Sequence, residues 1–330
     1  MSTATQFDIG ALLEMDGNRP RTNRHDCRRC GGIRTITRTN EFFYCHKCHW
    51  TGSTITLAKQ LGVCRRLSSA EYHELQRSQE LAHEAERNKE GRKHAEARRL
   101  AESIWAKARP APVTHPYLTR KRVMPHGLRL SCANLVIAIP DLEGVQHRRQ
   151  FIPSGSLVIP LCDVDCTLHS LQFITPKGEK QFLLGGRIAG CCYGLGSLNR
   201  HIWLCEGFAT GATVFEATHE AVAVCFFAGN LRHVAGALRG KYPSAELIIS
   251  ADNDRKSPGN PGLTAAKAVA RRFMGRAVWP VFEEDADGSD FNDLAQRIGI
   301  AGVREELRNV ASRGYWVKGV SLGEIGSCQS

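Results

Sequence analysis

The chain has 330 residues, with 44 Lys and Arg against 33 Asp and Glu and a formal net charge of +11. No apolar run is long enough to span a membrane, and the start lacks the basic and apolar regions of a secretory signal, so a cytoplasmic protein with no membrane partner is expected. Thirteen cysteines, an odd number, argue against a disulfide framework. The basic excess points to a polyanionic partner, with nucleic acid first.

The earliest chemistry in the chain lies in two cysteine pairs, Cys27-Arg-Arg-Cys30 and Cys45-His-Lys-Cys48, fourteen residues apart. Two knuckles of two thiolates suit one tetrahedral structural Zn²⁺. The alternating run between them predicts the strands of a small zinc ribbon over residues 24–63. Such a piece buries little core, so the metal would supply much of its folding energy. His25, His46 and His49 flank the cysteines, and with four thiolates completing the site they are expected to be exposed. Phe42 and Tyr44 on one face have two readings, the ribbon's own core or faces on which bases stack.

Residues 66–109 are rich in Ala, Glu, Arg, Lys and Leu and predict a helical connector with a narrow buried face. Residues 114–200 alternate short apolar runs, such as "LVIAIP" and "HSLQFIT", with turn signals, as in a β-rich subdomain. Its cations Arg120, Lys121, Arg122, Lys177, Lys180 and Arg187 are candidates for binding nucleotide or DNA. From 201 to 310 strands alternate with helices, which predicts a parallel sheet covered by helices.

The carboxylates of this last region fall at strand ends. "HIWLCEG" places Glu206 after one strand, and "LIISADND" places Asp252 and Asp254 after another. In an open α/β sheet those ends line the ligand crevice. Acids gathered there repel one another unless a divalent cation lies among them, and hard oxygen ligands select Mg²⁺ or Mn²⁺. "DADGSDFNDL" adds Asp290 as a further acid, with Asp287 and Asp293 as alternatives.

"LCEGFATG", "SADND" and "GSDFNDL" resemble the three motifs of the Toprim domain of primases, topoisomerases and some nucleases. With the ribbon and the basic region, the arrangement resembles phage and plasmid DNA primases. The fold so implied is α/β: an N-terminal zinc ribbon, a helical connector, then a mixed β-rich basic subdomain joined to a Toprim, Rossmann-like βα sheet. The resemblance implies synthesis of short RNA primers from NTPs on a single-stranded DNA template. It makes Glu206 a candidate for acid–base work or metal binding, and Asp252 and Asp254 metal ligands. No G-x-x-x-x-G-K-[ST] occurs, so a separate replicative helicase is the expected partner. The alternatives are a Toprim nuclease or topoisomerase-like enzyme and a non-catalytic single-strand-binding module. None of the six tyrosines lies in a region large enough to be a topoisomerase nucleophile domain. Clustered carboxylates give a mere phosphate binder no advantage.

Overall fold

The structure is a computed structural model that describes residues 8–21, 24–39, 42–62, 69–140, 147–283 and 286–313. The chain divides into two compact units, Met1–Asn88 and Lys89–Ser330.

The first unit opens on α1 (Ile9–Met15), which begins where the Asp8 carboxylate accepts the N–H groups of Gly10 and Ala11. Strands β1 (His25–Cys27), β2 (Gly32–Arg38), β3 (Phe42–Cys45) and β4 (Thr51–Ser53) form an antiparallel sheet in sequence order. Helix α2 (Thr54–Gln60) follows, capped by the Ser53 hydroxyl. Ile9, Leu12 and Leu13 are spaced to fall on one face of α1 and are buried with Ile36, Phe43 and Leu57. The unit therefore starts ahead of residue 24, and α1 supplies apolar area that the ribbon strands lack.

Helix α3 (Ser69–Lys107) is one 39-residue element. Its side chains from 76 to 88 are exposed, Leu81 among them. Its last turns belong to the second unit. There Ala97, Ala101 and Ile104, spaced i, i+4, i+7, are buried beside Ile152, Leu171 and Phe173.

The second unit holds two larger sheets. The first is built from β5 (Arg109–Pro110), β6 (Arg129–Leu130), β9 (Leu157–Cys162), β10 (Leu168–Ile174) and β11 (Lys180–Phe182), in the antiparallel order β11-β10-β9-β6-β5. Between these come α4 (Pro116–Lys121) and a separate hairpin of β7 (Leu135–Pro140) and β8 (His147–Ile152). The second sheet contains β12 (Tyr193–Leu195), β13 (His201–Cys205), β14 (Ala221–Val224), β15 (Glu246–Ser250) and β16 (Arg276–Val278). Its order is β12-β14-β13-β15-β16, parallel except for β12. Helices α5 (Phe208–Thr218), α6 (Ala228–Lys241), α7 (Pro261–Arg272) and α8 (Phe291–Arg313) alternate with these strands, and α8 breaks direction at Gly299.

Alternation explains the layering. Trp203 and Cys205 of β13 share a core with Phe208, Ala212 and Leu294 of α5 and α8. Ile202 and Leu204 face the opposite core, with Leu231, Val234 and Val269 of α6 and α7. The first core also takes in Leu118, Leu157 and Ile159, so the two sheets share one interior. They are stitched by a bridge in which Cys162 and Cys192 exchange backbone hydrogen bonds of 3.0 and 2.8 Å.

Two strands are shorter than their apolar runs suggest. β14 ends before Phe226, which takes φ +75°, and α6 starts at Ala228. β16 ends at Val278 rather than running to Phe282, because Pro280 has no N–H to give a ladder.

Candidate active site and metal centre

In the first unit the sulfur atoms of Cys27, Cys30, Cys45 and Cys48 all lie within 4.8 Å of one another. Cys27 and Cys45 are buried in the sheet, and Cys30 and Cys48 close the set from the turns. Four thiolate donors at one point suit Zn²⁺ and hold no open position for chemistry. Burial alone would raise the Cys45 thiol. The Thr35 hydroxyl, 3.4 Å away, and the N–H groups of Cys48 and Lys47 more than offset it, and bring it down to about 6.

One expectation here fails. His25 is buried, not exposed, because β1 alternates and turns His25 and Cys27 inward together. Of the aromatics, Phe43 and Trp50 supply the core, with ring centroids 4.4 Å apart. Phe42 and Tyr44, the neighbours of Phe43 along β3, face outward and are exposed.

The acids gather at the carboxyl ends of β13 and β15, which are adjacent and paired from His201↔Glu246 to Cys205↔Ser250. Glu206 follows β13 directly, and α5 then leaves from Gly207. Gly211 lets α5 approach the sheet, since a Cβ there would lie 2.6 Å from Val224 and 2.8 Å from Cys205 Sγ. Asp252 and Asp254 follow β15. Gly262 plays a similar part in α7, because a Cβ there would stand 2.8 Å from the Asp252 carbonyl and 3.1 Å from an Asp254 carboxylate oxygen.

A cavity of about 170 Å³ is lined by Glu206, Asp252 and Asp290 together with Lys121, Lys180 and Tyr117. Burial, then Glu206, Asp290 and Asp254, push the Asp252 carboxyl up to about 8. Burial and the Asp254 charge also raise Glu206. Glu206 Oε1 and Asp252 Oδ1 are buried without a hydrogen-bond partner. Buried carboxylate oxygens in that condition are costly, and a hard divalent cation is a partner that relieves the cost. Burial, then the Asp290 charge, push the Tyr117 phenol up to about 12, which leaves it a proton donor near neutral pH.

The three candidates after the last strand separate. Asp290 enters the cavity, where it accepts the Thr210 hydroxyl at 2.9 Å and the Asp293 N–H at 2.7 Å. Asp293 accepts the Ser289 N–H and lies 3.5 Å from Lys121. Asp287 is exposed and paired with Lys256. Asp254 does not line this cavity; it lines a second depression, with Arg255, Lys256 and Asp293.

The cations separate too. Lys121 and Lys180 line the cavity, and Lys177 is exposed nearby on the turn before β11. The Arg120 guanidinium donates to the Pro176 and Lys177 carbonyls, Arg122 to the Gln296 carbonyl, and Arg187 to the Ala189 carbonyl. Their charge is present, but these donors are bonded to main-chain carbonyls.

Sequence reasoning missed Asn253, the residue between the two acids. Its side chain donates to the Pro280 carbonyl and accepts from Asn260, and its N–H donates to the Ser289 carbonyl. Three bonds to three segments fix the loop that carries Asp252 and Asp254. An amide flanked by acids was the available signal. Thr210, in the first core-facing turn of α5, was missed because its role depends on Asp290, eighty residues on.

Residues 201–301, which run from β13 into α8 and carry Glu206, Asp252, Asp254 and Asp290, match the family model of the Toprim domain. The chain is similar to DNA primase TraC of Escherichia coli, with 36% identity over 133 residues, which is 38% of this chain and 12% of that protein. It thus spans about a tenth of the length of the curated relatives it matches. Among solved structures, the Aquifex aeolicus primase with its zinc-binding and RNA polymerase domains aligns over 93% of this chain and 83% of that one, at 15% identity and a TM-score of 0.42. The DnaG primase catalytic domain bound to single-stranded DNA aligns over 66% of this chain and 80% of its own, at 11% identity and a TM-score of 0.46.

Among the described residues no helix is long and apolar enough to cross a membrane.

Proposed function

We propose that the chain is a DNA primase that makes short RNA primers on single-stranded DNA by nucleotidyl transfer from NTPs. The observation that carries this is the meeting of Glu206, Asp252 and Asp290 with Lys121 and Lys180 in one small cavity of a Toprim domain.

The division of labour follows the chain. Residues 24–63 hold one Zn²⁺ on Cys27, Cys30, Cys45 and Cys48 and touch template, and 66–109 connect. Residues 114–200 supply cations, and 201–310 carry the chemistry. Glu206, Asp252 and Asp254 would hold Mg²⁺ or Mn²⁺, which supplies charge neutralisation for the triphosphate, the attacking 3′-hydroxyl and the departing pyrophosphate. Lys180 and Lys121 bring ammonium groups against the phosphates. Asp290 is held by Thr210 so that its carboxylate keeps one orientation toward the cavity. The buried floor under Glu206 and Asp252 limits water at the reacting phosphate.

The enzyme would act in the cytoplasm beside a separate replicative helicase. The test is incubation with single-stranded DNA, labelled NTPs and Mg²⁺ or Mn²⁺, with products sized on a gel. Short, template-dependent RNA is expected. Cleavage of the DNA without RNA synthesis would overturn the reading in favour of a nuclease.

A further inference from the structure

Three local preferences are broken in succession at the end of β14, beside the acidic cavity. Phe226 adopts φ +75°, a region that bulky side chains avoid. Phe227 occupies the N-cap of α6, where a short polar side chain would normally satisfy a helix N–H, and it makes no capping bond. Phe227 is also 42% exposed although it is a large apolar residue. Broken rules gathered at one place mark a functional position.

The backbone turn has a definite result. It sends Phe226 inward, where it is buried and meets Phe182 edge-on at 5.9 Å, and it leaves Phe227 exposed. Both rings line the cavity that holds Glu206, Asp252 and Asp290. The Phe227 ring is held in place. Its edge contact with Phe182 has centroids 6.2 Å apart, and the missing side chain of Gly229 gives it room, since a Cβ there would lie 3.1 Å from the ring. The first turn of α6 is tied down by the buried Asn230, whose amide donates to the Cys191 and Cys225 carbonyls and accepts the Gly190 N–H. A fixed, exposed aromatic face thus stands next to carboxylates and ammonium groups suited to a metal-bound triphosphate.

We propose that Phe227 is the stacking surface for the nucleobase of the NTP whose phosphates enter the acidic cavity. This rests on the primase reading above. Stacking on one ring tolerates every base, because each has a π-face, and favours purines for their larger area. Phe227 is a positioning residue: it fixes the base so that the α-phosphate stays at the acids.

The experiment is titration calorimetry in Mg²⁺ with GTP, CTP and inorganic tripolyphosphate, on wild type, Phe227→Ala and Phe227→Trp. Wild type is expected to bind GTP more tightly than CTP, and CTP more tightly than tripolyphosphate. Phe227→Ala should weaken GTP by about ten-fold and leave tripolyphosphate unchanged. Phe227→Trp should retain or tighten GTP. The ring is exposed, so both variants should unfold at the wild-type temperature. Wild-type GTP binding with no loss in Phe227→Ala overturns the inference and leaves the primase reading intact. Equal weakening of GTP and tripolyphosphate also overturns it, since that marks a distorted cavity. No binding of any nucleotide by wild type overturns both.

Discussion

The Thr210 hydroxyl donates a 2.9 Å hydrogen bond to the Asp290 carboxylate and so joins the first turn of α5 to the start of α8 inside the acidic cavity. Thr210 is buried, so Thr210→Val keeps the shape and removes the donor. A hydrogen bond to a charged group is worth about 1.5–3 kcal/mol. Primer synthesis should fall by about ten-fold or more, with the NTP concentration at half-maximal rate changed less than the maximal rate. Wild-type rates in this variant would mean that the orientation of Asp290 is immaterial.

Without metal, Asp252 makes the protein sensitive to pH. Its carboxyl is pushed up to about 8 in the folded chain, against about 3.9 when unfolded. Between these values the folded state holds the extra proton. Stability is therefore greatest at the acid end and is lost as pH rises toward about 8, by at most about 1.4 kcal/mol per pH unit for this group. Asp252→Asn should flatten that slope and stabilise the metal-free protein near neutral pH, while abolishing primer synthesis. Chemical denaturation in EDTA across this range measures it. A slope identical in wild type and variant contradicts the assignment.

Removal of a thiolate should act locally. Cys45→Ser is expected to lose the zinc found by elemental analysis of reduced wild type at one equivalent. A structural zinc site contributes on the order of 10 kcal/mol to its fold. The first unit should then lose hydrogen-exchange protection over β1 to β4, while β13 to β16 keep theirs. Loss of protection in both sheets would show that the units do not fold separately.

Lys177 and Arg120 lie on the same surface but should differ. Lys177→Ala should lower the salt slope of single-stranded DNA binding by about 0.7 and leave thermal unfolding unchanged. Arg120 holds the carbonyls of the turn that carries Lys177, so Arg120→Ala should lower the unfolding temperature as well. Equal unfolding temperatures with equal slopes would remove this distinction.

The βα series was legible because apolar runs of strand length alternate with helical periods, and the acids end those runs. The cysteine spacing was equally plain. Other features depend on contacts far away in sequence. Helix α1 has seven residues and needs the ribbon sheet to bury Ile9 and Leu12. β5 and β6 have two residues each, too few for any pattern. The type of a cation was readable, but its direction was not. Arg120, Arg122 and Arg187 turn their donors to carbonyls, whereas Lys121 and Lys180 reach the cavity. His25 was misjudged for a related reason, because a three-residue strand sets its inward direction.

The interior shared by the two sheets has a consequence for how this protein can be divided. Scission near residue 200 would separate Leu118 and Leu157 from Trp203 and Phe208, which share one interior, and would leave two apolar faces in water. A fragment of this chain that keeps the second sheet folded must therefore keep the first sheet with it.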